Sequence, residues 1–135
     1  GIGQAYLNSI LQQIFSNKGL RIAQILLTKN FFDSKRNKTE INGLVHYYLQ
    51  IGVVPVINEN DVIDLNSFGG NDFLAENLAR LFDVELLILS TMAGSSFSVG
   101  GGEVKLKVVA RHKKYGLAAS IVDGKHKNIL LETLL

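Results

Sequence analysis

The sequence predicts an α/β protein, a three-layer αβα sandwich with a mainly parallel sheet. Two observations lead to this fold class. Apolar periodicities typical of helices alternate with those typical of strands along the whole chain of 135 residues. The best strand candidate, VELLILST at residues 84–91, is also apolar on both faces. Strands of this kind need helices on both sides of the sheet, and crossover helices provide them.

The spacing of apolar residues predicts each element in turn. Pro55 lies inside one predicted strand, and since proline lacks a backbone donor, we expect that strand at a sheet edge or with this position off the ladder. The polar stretch at residues 30–40 is predicted as a loop. The predicted helices cover residues 6–15, 41–49, 74–82, 106–115 and 128–135, and the predicted strands cover residues 20–28, 53–57, 84–91 and 117–122.

Composition narrows the class of protein. The chain is 47% hydrophobic and 19% charged, which suits a folded core in a single domain over residues 1–135. Its net charge is only +2, and its basic residues are spread along the chain, so we expect no nucleic-acid partner. Cysteine is absent, and no apolar run is long enough to span a membrane. We therefore expect a cytoplasmic protein.

Three polar or glycine-rich segments follow predicted strands. Residues 58–61 read NEND, residues 69–72 read GGND, and residues 100–102 are three glycines followed by Lys105. Ligands of open α/β sheets bind at the carboxyl ends of the strands. Glycines at a helix start admit a phosphate, and a lysine one turn later adds positive charge. Together these features predict a phosphoryl-transfer site.

Each feature also has a simpler interpretation. Residues 58–61 could form an ordinary turn, Asn71 or Asp72 could only cap a helix, and the three glycines could be a loop. Lys105 could be a surface lysine, and residues 111–114, RHKK, are typical of a solvated helix face. The three histidines lack the spacing of metal ligands, so no metal-binding residue is predicted. Only the coincidence of the three features favours a site.

Several motifs, in this order, resemble the amino-acid kinase family and most closely its glutamate 5-kinase branch. They are VPVINENDV at 54–62, FGGND at 68–72, LLILST at 86–91 and GGGEVKLK at 100–107. The resemblance implies ATP-dependent phosphorylation of the γ-carboxylate of L-glutamate with Mg²⁺, the first step of proline biosynthesis. It also implies proline as a feedback inhibitor and a homo-oligomer as the assembly.

The resemblance assigns roles to individual residues of this chain. Asp72 would orient the catalytic lysines, and Lys105 would stabilise the transferring phosphoryl group. The residues implied in glutamate binding are Asn58, Asp61 and Asn71. Those implied in nucleotide binding are Thr91, Gly100, Gly101, Gly102 and Lys105.

The chain also departs from the family pattern. Gly70 and Met92 stand where the family has aspartates, and residues 94–98 replace a longer excursion. The family's first strand, with its lysine and glycine turn, has no counterpart in these residues. We therefore expect a domain that is incomplete at its N-terminus and between about 94 and 98, and the activity of the 135 residues alone stays open. Two alternatives remain: a sibling kinase with another acceptor, and a non-catalytic metabolite-binding or oligomerisation fragment.

Overall fold

The computed structural model describes residues 2–60, 70–90 and 102–134. The chain divides into two compact units, Gly1–Phe68 and Gly69–Leu135. Each unit contains a pair of parallel strands with helices packed against them. The predicted α/β class with parallel strands is confirmed, while the single domain over residues 1–135 stays a prediction.

The first unit alternates helices with two parallel strands. Strand β1 pairs with strand β2 in a register that runs from Arg21 opposite Val53 to Leu27 opposite Glu59. Helix α1 packs against β1, and helix α2 packs against β2. Its elements are α1 (Ile2–Ser16), β1 (Arg21–Leu27), a 3₁₀ helix (Lys29–Asp33), α2 (Lys35–Gln50) and β2 (Val53–Glu59). Its buried apolar residues are Leu27, Ile41, Val45 and Val53.

Pro55 lies inside β2, opposite Ala23 of β1. In the described part of the chain, β2 has a partner strand on one side only. A strand with one unpaired side tolerates a proline, because the missing N–H can face away from the ladder. This arrangement agrees with the edge position expected from the sequence.

The loop predicted at residues 30–40 is wrong. A 3₁₀ helix occupies its beginning, and α2 already starts at Lys35. Ser34 caps α2, because its hydroxyl accepts a hydrogen bond from the Asn37 backbone N–H at 3.3 Å. Arg36 and Glu40 then form an exposed ion pair one helical turn apart at 2.7 Å. The polar residues that suggested a loop are therefore the cap and the exposed first turns of a helix.

The second unit contains strands β3 and β4, which pair in parallel from Leu86 opposite Ala119 to Ser90 opposite Asp123. One buried cluster of its core consists of Ala79, Leu86, Ile88, Val108 and Ala119, and Leu74 and Leu78 are buried as well. Its elements are α3 (Asn71–Phe82), β3 (Leu86–Ser90), α4 (Gly102–Lys113), β4 (Ala119–Asp123) and α5 (Ile129–Leu134). Across the described residues of both units, no helix has the length and apolar character needed to cross a membrane.

Candidate active site

Lys105 and Asp72 form a direct ion pair in the second unit. The Lys105 ammonium donates a hydrogen bond to Asp72 Oδ2 at 2.7 Å. The two side chains are only 18% and 22% exposed. Asp72 lies in the first turn of α3, and Lys105 lies one turn into α4. The two side chains are therefore in direct contact, whereas the catalytic roles that the resemblance implies for them stay predictions.

The helix dipoles act differently on the two charges of this ion pair. A carboxylate in the first turn of α3 is stabilised by the positive end of that helix. A lysine near the start of α4 experiences the opposite effect, because its charge has the same sign as the helix terminus. Asp72 offsets this repulsion and holds Lys105 in place. The result is a cation at a helix N-terminus, which is a favourable place for an anionic ligand.

A cavity of about 310 Å³ lies beside Lys105 at the carboxyl ends of β3 and β4. Ser90 and Asp123, the last residues of the two strands, both contribute to it, as does the first residue of α4, Gly102. Its full lining is Ser90, Gly102, Lys105, Leu106, Ile121, Val122 and Asp123. The cavity is therefore at the edge of the sheet where ligands of α/β proteins bind.

The cavity carries groups of opposite charge. Lys105 attracts phosphate, while the Asp123 carboxylate repels it and favours hydroxyl or amine donors. Asp123 is held in a turn, because its Oδ1 accepts a hydrogen bond from the Lys125 backbone N–H at 2.9 Å. Leu106 and Ile121 add apolar surface to the lining. This combination suits a ligand with an apolar ring, hydroxyl groups and a phosphate.

Gly102 is exposed, and a Cβ atom added to it would meet no neighbouring atom within 4 Å. It lines the cavity, and its predicted role in nucleotide binding stays a prediction. The other predicted nucleotide-binding residues, Thr91, Gly100 and Gly101, lie outside the described residues, as does the predicted glutamate-binding residue Asp61.

The start of α3 holds two positions of the predicted site. Asn71 is the first residue of the helix and is exposed. Gly70 precedes it with φ of 118° and ψ of 162°, and it makes no side-chain cap. This backbone conformation is almost restricted to glycine. Glycine at position 70, where the resemblance implies aspartate, is therefore matched to the local backbone.

Asn58 lies in the first unit, near the carboxyl end of β2. Its side-chain amide donates to Gln4 Oε1 at 2.6 Å, and its Oδ1 accepts from the Glu59 backbone N–H at 2.9 Å. These two contacts fix the orientation of the amide. Gln4, in α1, was not among the predicted site residues, because a single exposed-looking glutamine in an amphipathic helix carries no signal of its own.

The sequence analysis also missed a buried polar cluster between α3 and α4. Glu76 and His112 are both fully buried. His112 Nε2 lies 3.1 Å from the Val84 carbonyl oxygen, which agrees with a structural role for this histidine. The prediction of a solvated face at residues 111–114 is therefore wrong for His112. The i, i+4 spacing of Glu76 and Arg80 is compatible with an ion pair on α3, but exposed pairs have the same spacing, so it did not indicate burial.

Comparison with known proteins bears on the motifs of both units. The sequence model of the amino acid kinase family matches residues 1–94, which is most of the chain. The chain belongs to the amino acid kinase family. This confirms the predicted family resemblance, and the matched range includes Asn58, Asn71 and Asp72.

Individual relatives from this family align with the chain. It is 40% identical to the glutamate 5-kinase of Aquifex aeolicus over 97 residues, covering 69% of this chain and 27% of the relative. It is 31% identical to that of Alkaliphilus oremlandii over 168 residues, covering 97% of this chain and 64% of the relative. It is 30% identical to that of Citrifermentans bemidjiense over 165 residues, covering 96% and 44%. The chain thus spans less than two thirds of each relative.

Proposed function

We propose that the complete protein transfers the γ-phosphoryl group of ATP to the γ-carboxylate of L-glutamate, the first step of proline biosynthesis. The observation that carries this proposal is the Lys105–Asp72 pair beside the cavity at the carboxyl ends of β3 and β4. Membership of the amino acid kinase family supports the use of ATP. The choice of glutamate is supported by the glutamate 5-kinases among its relatives.

The reaction brings like charges together. A γ-carboxylate oxygen of glutamate attacks the γ-phosphorus, the bond from this phosphorus to the bridging oxygen of ADP breaks, and ADP leaves. The products are ADP and an acyl phosphate. Most of the catalysis in such reactions comes from positioning and from charge stabilisation. Lys105 supplies positive charge at the transferring group, and Asp72 keeps its ammonium in one position, which reduces reorganisation during the reaction.

In the proposed reaction, ATP would bind in the cavity and Mg²⁺ would bind with it. The adenosine part would occupy the cavity, with its ribose hydroxyls near Asp123 and its phosphates near Lys105 and Gly102. No group of three potential metal ligands of the His, Cys, Asp or Glu type occurs among the described residues. In kinases Mg²⁺ commonly binds through one or two carboxylates together with the substrate phosphates, so the nucleotide would supply part of its coordination. When bound, it would neutralise charge on those phosphates.

The glutamate side of the proposed site uses amides and carboxylates. Asn58, Asp61 and Asn71 would contact the substrate, and the Asp61 carboxylate suits its amino group. The contacts of Asn58 with Gln4 and with the Glu59 backbone support a preset amide orientation. Gln4 would then help to position Asn58 and would not itself have to touch the substrate.

Further proposals concern the complete protein. Proline as a feedback inhibitor, a homo-oligomeric assembly, a cytoplasmic location and the absence of a nucleic-acid partner all stay predictions from the sequence. The predicted missing stretch between about 94 and 98 also stays a prediction. The alignment lengths agree with missing residues but do not give their position. The 165 positions aligned with the Citrifermentans bemidjiense relative exceed the 135 residues of this chain, so at least 30 of them have no counterpart here.

Acceptor-dependent ADP release tests the proposed function. The complete protein should release ADP from Mg-ATP when glutamate is added. Acetylglutamate, aspartate and UMP should support the reaction much less and should compete poorly with glutamate. If one of these compounds supports faster turnover than glutamate, that compound is the acceptor, and the protein is a related kinase of the same family. ATP binding without acceptor-dependent turnover would refute the proposed reaction and favour the non-catalytic alternative.

A further inference from the structure

Glu76 is a fully buried carboxylate in the middle of α3. Its Oε1 lies 2.7 Å from Nε of Arg80 on the same helix, and its Oε2 lies 3.4 Å from Nε of Arg111 on α4. Neither oxygen makes a hydrogen bond within accepted geometry. Glu76 is thus held by the charges of two arginines, one from each of two helices.

A buried charge at this position needs a reason. Removing a carboxylate from water costs several kcal/mol, and ion pairing often only offsets that cost. An apolar residue in the same place would avoid it. Buried ion pairs are nevertheless found where a single arrangement of helices has to be specified. The cost and the cross-helix contact together indicate that Glu76 specifies how α3 and α4 pack.

Arg80, the partner of Glu76 on α3, makes further contacts that hold its side chain in place. Arg80 donates to Asn77 Oδ1 at 2.8 Å, and its guanidinium lies 4.5 Å from the centre of the Tyr115 ring, which follows α4. Asn77 in turn donates to the Phe73 carbonyl oxygen at 2.9 Å. These contacts order the α3 side of the cluster, so the position of Arg111 relative to Glu76 reports the position of α4.

Two ion pairs therefore connect the same two helices. Asp72 and Glu76 are one helical turn apart on α3, and their partners Lys105 and Arg111 both lie on α4. Lys105 of the first pair lines the cavity, whereas the second pair joins the fully buried Glu76 to the half-exposed Arg111. We propose that Glu76 is a positioning residue, which fixes α4 against α3 through Arg111 and thereby sets the place of the Lys105 ammonium.

The importance of this role for catalysis rests on the proposed function, but the linkage itself can be measured without activity. The coupling between Asp72 and Lys105 is obtained from urea unfolding of Asp72→Asn, Lys105→Gln and the double variant. The cycle is then repeated in the Glu76→Gln background. If Glu76 sets the geometry, the Asp72–Lys105 coupling should fall by at least half in that background.

Glu103→Gln is the matched control. Like Glu76→Gln, it replaces one carboxylate by an amide, but on α4. Glu103 is 78% exposed and pairs with Lys107 on its own helix. The Asp72–Lys105 coupling should be unchanged in this background. An equal coupling in the wild-type and Glu76→Gln backgrounds would overturn the proposal. If Glu76→Gln does not fold, Arg111→Gln replaces it, because Arg111 is 45% exposed and Glu76 keeps Arg80 as a partner.

Kinetics of the complete protein then test the catalytic consequence. Misplacement of Lys105 in Glu76→Gln should lower kcat about 10- to 100-fold with little change in the KM for ATP. A purely structural role would lower thermal stability and leave the kcat of the folded fraction unchanged, and that result would overturn the positioning role. A wild-type protein without kinase activity would refute the proposed function and leave the coupling measurement to decide the linkage.

Discussion

Replacement of Lys105 by alanine should lower kcat for glutamate-dependent ADP release by about 10² to 10³. The reason is that the Lys105 ammonium is fixed by Asp72 at 2.7 Å and lies in the lining of the cavity. In the proposed mechanism, a cation held in this way acts on charge that develops in the transition state. Its loss should therefore change kcat strongly and the KM for glutamate little.

The stability cost of this change should be small by comparison. The lost contact is a hydrogen bond between charged groups that are about one fifth exposed, so it contributes about 1–2 kcal/mol after allowance for solvent screening. Asp72 keeps the favourable end of the α3 dipole, and alanine favours helix at position 105. A domain stability of about 5–15 kcal/mol tolerates this loss, so the variant should remain folded.

The assay is coupled ADP release under saturating Mg-ATP and glutamate, with circular dichroism as the check of folding. Lys107→Ala is the matched control, because Lys107 lies on the same helix but is 66% exposed and pairs with Glu103. This control should keep kcat within about twofold, as expected for a surface substitution. A folded Lys105→Ala variant with near-normal turnover would refute the catalytic assignment and leave Lys105 as a structural partner of Asp72.

Three further predictions concern binding and packing. Asp61→Asn should weaken glutamate far more than ATP, and equal losses in titrations of the two ligands would argue against the assigned role. Asp123→Ala should raise the KM for ATP about fivefold, the effect of one lost hydrogen bond, without changing that for glutamate; an unchanged KM for ATP would exclude the proposed ribose contact. Leu74→Ala should lower the free energy of unfolding by about 2–5 kcal/mol, because Leu74 is only 2% exposed. The control Leu106→Ala, at a position 64% exposed, should change it by less than about 0.5 kcal/mol, and similar urea midpoints for both variants would contradict the packing.

Apolar periodicity predicted the strands and the apolar parts of the helices. The four strands and most helices of the described ranges follow from runs such as LLILS, since burial demands apolar side chains at fixed intervals. The polar start of α2 was missed because a capping serine and exposed charged residues look the same in a loop and in a first helical turn. Local sequence does not separate these two cases when the apolar stripe begins only at Ile41.

The candidate site also has one contact that could be predicted from the sequence and others that could not. The Asp72–Lys105 contact could be expected from the family resemblance, which implies that Asp72 orients the catalytic lysines, and the opposite charges of the two residues agree with it. Glu76 could not be distinguished from a surface glutamate, since its burial depends on Arg111, which is 35 positions away along the chain. Likewise, α4 buries Val108 and His112 while Leu106 is exposed, because the packing of α3 selects the face.

The backbone conformation of Gly70 limits which residues can occupy this position. Its φ of 118° and ψ of 162° lie in a region that side-chain-bearing residues almost never adopt. Reintroducing the aspartate that the family resemblance implies would therefore impose strain of about 1–3 kcal/mol, although a Cβ at this position would meet no neighbouring atom within 4 Å. The obstacle is the backbone angle and not the available space. A change that returns residue 70 to negative φ would remove this strain, so an aspartate here would be better tolerated after such a change than before it.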